Sequence, residues 1–144
     1  MDCLKKLVLV LLLCALSGTV LAEEKAYVPK DNEELYGTWV NMDYHAMPWK
    51  KKIHYPDGRW EGFTAEWIKK PLSVRANHKI TAKWTDSENN ICYKVHWSNP
   101  TWGEEYYLFK ISKSGKICEY VYNTMQYPTK IDPSNPYYCI YYRQ

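Results

Sequence analysis

The sequence predicts an all-β fold: an eight-stranded antiparallel up-and-down β-barrel with no helix after its last strand. Three observations carry that expectation. Residues 78–85 and 91–98 alternate apolar and polar side chains with a period of two, the mark of a half-buried strand pair. From Leu35 onward the chain reads as eight such runs divided by turn residues, with no convincing helical stretch. The connections also alternate between tight turns and longer, aromatic-rich loops, as they must when a closed meander places them at opposite ends.

The elements follow in order. A polar lead-in, 23–34, ends in a short helical turn at Asn32-Glu33-Glu34. The first strand, 35–42, opens on Leu35-Tyr36-Gly37-Thr38-Trp39-Val40-Asn41. The second spans 49–55, and Pro56-Asp57-Gly58 then supplies a reversal, with proline fixing φ and glycine free to turn. The third is 59–65. Residues 66–77, with Lys69-Lys70-Pro71 in their middle, break the alternation and read as a loop.

The fourth and fifth strands, 78–85 and 91–98, flank Asp86-Ser87-Glu88-Asn89-Asn90. Their alternation puts Ile80, Ala82, Trp84, Ile91, Tyr93, Val95 and Trp97 on a core face, with Lys79, Thr81, Lys83, Thr85, Cys92, Lys94, His96 and Ser98 facing water. After a loop at 99–103 come a sixth strand at 104–111, the turn Ser112-Lys113-Ser114-Gly115, and a seventh at 116–122. A long loop with three prolines leads to the eighth strand, 137–143. Connections two-three, four-five and six-seven are tight, and those at the other end are longer on the whole. A barrel so built is a cup, and closure brings Arg143 beside Gly37 and Trp39.

Ahead of the barrel, Lys5 and Lys6, an uncharged apolar core at 7–16, and Val20-Leu21-Ala22 before Glu23 predict a signal peptide over 1–22. The core is shorter than the roughly 20 apolar residues of a spanning helix. The expected destination is therefore export, periplasmic or secreted. The alternative is a lipid anchor on Cys14, although Leu13 stands where that signal wants a small residue. The barrel domain is expected over 35–144, of a size to bury one core.

Lysine and arginine total 19 against 16 aspartate and glutamate, so the balance gives no preference for nucleic acid or acidic surfaces. The 7 Trp, 14 Tyr and 2 Phe suit strands and ring-lined interiors. Cys92, Cys118 and Cys139 remain after the leader and allow three single-bridge pairings or none. Cys118 with Cys139, on the last two strands, is the preferred pair. Three unbridged thiols are the alternative.

The Gly37-Thr38-Trp39 stretch resembles the Gly-x-Trp that opens the first strand of lipocalins and other calycin-group barrels, here with a leader of bacterial-export type. The resemblance implies a floor built from Gly37, Trp39 and Arg143, the arginine lying across the Trp39 ring. Two features depart from that family. Thr85-Asp86 continues into Ser87 where many lipocalins have Thr-Asp-Tyr, and the chain stops at Gln144, before any outer helix. The expectation is a short lipocalin-like barrel.

No reaction chemistry is expected. There is no Gly-x-Ser-x-Gly. Cys92 and His96 share a strand face but stand roughly 13 Å apart, beyond hydrogen-bond reach. Glu104 and Glu105 point to opposite sides of a sheet. His45, His54, His78 and His96 are scattered, and the acidic turn at 86–90 lacks calcium-loop spacing, so neither metal nor cofactor is expected.

The remaining expectation is a non-enzymatic exported protein holding a small hydrophobic or aromatic ligand. Trp60, Trp84, Tyr93 and Trp97 would wall the cavity, with Tyr44, His45, Trp67, Trp102 and Tyr127 at the rim. The alternatives are an envelope protein-interaction or inhibitor module with a filled barrel, and a carbohydrate-binding module.

Overall fold

A computed structural model describes residues 26–42, 49–64 and 73–144. The expected signal peptide, Cys14, and the rim residues Tyr44, His45 and Trp67 lie outside these. Eight strands form: β1 Gly37–Val40, β2 Trp49–His54, β3 Arg59–Thr64, β4 Ser73–Thr85, β5 Ile91–Asn99, β6 Gly103–Ile111, β7 Ile117–Asn123 and β8 Cys139–Arg143. Each pairs antiparallel with the next and β8 returns to β1, giving a closed up-and-down barrel. No helix among the described residues is long and apolar enough to cross a membrane.

The tight turns gather at one end, the floor. Gly58, at φ 82°, donates to Tyr55 O and receives His78 N–H at 2.8 Å. A Cβ there would meet His78 O at 3.2 Å, so the reversal needs glycine. At the other end, the mouth, part of the β7–β8 loop lies against the outer wall: Tyr127 packs edge-on to Tyr106 and its hydroxyl meets Thr81 Oγ1 at 2.8 Å. Tyr127 is therefore an outer-wall residue, contrary to the rim position expected for it.

Two features of β4 correct the sequence reading. The strand begins at Ser73, five residues before His78, because the alternation of Val74, Ala76 and His78 runs upstream and pairs with β3. Farther along, Ile80 pairs with Val95 but Ala82 pairs with Lys94, so Thr81 is an extra, bulged residue. Every side chain beyond it changes face. Lys83 turns in, opposite Tyr93, and Trp84 turns out, opposite Cys92. Trp84 is 40% exposed on the outer wall and is not a cavity residue. A second register shift, between Trp49 and Lys51 in β2, lets Trp49 pack inward on Trp60 while Lys51 covers Phe63 outside.

Candidate functional site

The barrel interior divides into a floor of satisfied charges and a centre of rings around one lysine. On the floor, Trp39 is buried and its Nε1 donates to Leu35 O at 2.8 Å. Arg143 stands with Cζ 4.3 Å from the Trp39 ring and donates to the carbonyls of Gly115, Tyr36 and Glu34. Gly37, at φ 117°, leaves room for that guanidinium, since a Cβ would meet Nη1 at 3.1 Å. The lead-in closes this end. Lys83 Nζ lies 2.7 Å from Glu33 and 2.6 Å from Glu34, and the Tyr93 hydroxyl, with one proton to give, stands within hydrogen-bond reach of both carboxylates. Burial works against the Glu33 carboxylate, but bonds from Lys30 N–H, Lys83, Tyr27 and Tyr93 hold its pKa down to about 2.

Lys52 projects into the centre from β2 and is 3% exposed. Its Nζ donates to Tyr120 Oη at 2.6 Å and stands 4.2 Å from that ring, 5.0 Å from Tyr141, and 5.7 Å from both Trp60 and Tyr107. Among the described residues it has no salt bridge. Burial pushes its pKa down to about 8. The Tyr120 and Tyr141 rings stack at 5.6 Å, and Tyr141 donates to Trp49 O at 2.6 Å. Nearer the floor, His54 and His78 meet edge to face at 5.1 Å, each with Nδ1 buried and without a partner. Burial lowers both pKa values, His78 to about 4, so both are neutral at pH 7.

Toward the mouth, Trp60 packs edge-on against Trp49 and Trp97, and Trp49 meets the half-exposed Trp102. The Trp60 ring lies over Gly62, where a Cβ would collide with it and meet Trp49 Cε3 at 2.9 Å. Trp97 is buried with its Nε1 unpartnered.

Of the expected wall residues, Trp60 and Trp97 therefore share one ring cluster and Tyr93 belongs to the floor. Trp102 is at the mouth. Lys52, His54, Tyr107, Tyr120 and Tyr141 were not singled out by the sequence. In Lys52-Ile53-His54 the apolar residue faces out, so hydrophobicity alone selects the wrong face of β2. Alternation within the strand could still have grouped Lys52 with His54.

No disulfide joins Cys118 and Cys139, which corrects the preferred pairing. Cys118 sits opposite Tyr141 and Cys139 opposite Tyr120. That diagonal offset separates such residues by roughly 7 to 8 Å, against about 4.4 to 6.8 Å between the Cα atoms of a bridge. No cluster of three His, Cys, Asp or Glu able to hold a metal occurs among the described residues. Compared with family models, curated proteins and solved structures, the chain gives no significant match to any of them.

Proposed function

We propose that this chain is an exported, non-enzymatic, lipocalin-like barrel that binds a small apolar or aromatic molecule in its ring-lined interior. One observation carries the reading: a ring-walled interior containing polar atoms that no described residue satisfies. The Nδ1 atoms of His54 and His78 and the Nε1 of Trp97 are buried without a partner among the described residues. Each such atom costs about 1 to 3 kcal/mol. An apolar wall carrying a few polar groups is the usual composition of a small-molecule site. A barrel serving only as a scaffold gains nothing from them.

A second reading is a filled-barrel interaction module. It is favoured by the degree of filling, with Trp60, Trp97, Tyr107, Phe109, Tyr120 and Tyr141 each under 10% exposed. Exposed Met42, Trp102, Met125 and Tyr137 would then meet a protein partner. Native mass spectrometry of the protein from its own source separates the two readings. The binder reading expects a small molecule that is lost on denaturation, or uptake from a panel of apolar and aromatic compounds. A bare mass with no uptake from the panel would move the assignment to the interaction module.

A further inference from the structure

We infer that the seat around Lys52 takes the carboxylate of a small planar acid, an aromatic monocarboxylate whose body lies against Trp60, Tyr107 and Tyr141. This deepens the binder reading and rests on it. An ammonium has three donors, and Lys52 spends one on Tyr120 Oη at 2.6 Å. Around it stand ring faces at 5.0 to 5.7 Å. Ring faces attract a cation but do not replace the hydration it has lost, and a buried cation calls for a counter-charge. Among the described residues no carboxylate forms an ion pair with Lys52: Glu105, whose charge reaches it, is bonded to the Tyr107 hydroxyl, and Glu33 and Glu34 are taken by Lys83.

A carboxylate fits what is missing. It supplies one negative charge and accepts several hydrogen bonds, and the unpartnered Trp97 Nε1 belongs to the same ring cluster through Trp60. A dianionic group would need a second cation beside Lys52, and the described residues show none there. The walls are flat. Trp60 stands edge-on between Trp49 and Trp97, and Tyr107 stacks on Phe109 and Tyr122. Flat ring faces suit a ring system better than a flexible chain.

The test is calorimetric titration of the full chain with naphthoate, its uncharged methyl ester and dodecanoate. The parent is compared with Lys52→Met and with Tyr120→Phe, which keeps the ring, after circular dichroism shows each variant folded. Naphthoate is expected to bind the parent and to weaken about 10- to 100-fold in Lys52→Met, with a smaller loss in Tyr120→Phe. The ester should bind parent and Lys52→Met alike. Equal binding of naphthoate and ester to the parent, unchanged in Lys52→Met, would overturn the anion seat and leave the binder reading intact. Tighter binding of dodecanoate than naphthoate would overturn the planar guest. No uptake of any of the three by the parent would overturn the seat and count against the binder reading as well.

Discussion

Two lysines point into this barrel and meet opposite surroundings. Lys83, on the floor, touches two carboxylates and keeps part of its side chain in solvent. Lys52, at the centre, is almost fully buried and meets a hydroxyl and four rings. The floor contains a complete set of charges, which is what a structural plug needs. The centre holds a charge that forms no ion pair among the described residues. The same residue type is therefore structural in one place and, on the reading proposed above, a binding group in the other.

The floor end gives the largest expected effects. Trp39→Ala should cost about 3 to 5 kcal/mol, a large share of the stability of a domain of this size, read from urea unfolding. A variant that melts like the parent would remove Trp39 from the floor's structural role.

Lys83→Met comes next. It leaves Glu33 and Glu34 side by side without their cation and should cost about 1 to 3 kcal/mol, less than a fully buried pair because Lys83 is partly exposed. Glu33 titrates near 2 in the folded protein against 4.5 in the free side chain. Its contribution is therefore present above pH 4.5 and lost as pH falls toward 2. Lys83→Met should flatten that acid limb, measured as unfolding free energy against pH. Arg143→Met is the smallest, about 1 kcal/mol, since its guanidinium over Trp39 is solvent-facing.

Strand count, order and most strand bounds were legible in the sequence because alternation and turn residues act locally. The inward residues of β5, Ile91, Tyr93, Val95 and Trp97, were read correctly, but Cys92, expected to face water, is buried. What the sequence hid was bulge placement. Nothing in Ile80-Thr81-Ala82 announces an extra residue, and that one residue sent Trp84 out and Lys83 in. In Tyr106-Tyr107-Leu108-Phe109 both faces are apolar, so alternation could not say which rings surround the centre. Lys52 was hidden for a related reason: three lysines in a row at 50–52 carry no apolar signal, and alternation groups Lys52 with His54 without saying that their face is the inner one.

The most direct test of the contrast is the unfolding free energy of Lys52→Met beside the parent from pH 7 to pH 10. Lys52 titrates near 8 in the folded protein, below the 10.5 of a free lysine, so the unfolded chain holds the proton more tightly across that window. Its destabilising effect is full below pH 8 and is relieved as pH rises toward 10.5. The account predicts Lys52→Met to be more stable than the parent at pH 7 by about 1 to 3 kcal/mol, with the gap closing toward pH 10. A variant less stable than the parent at pH 7, with a gap that does not change with pH, would contradict it and make Lys52 a structural residue like Lys83.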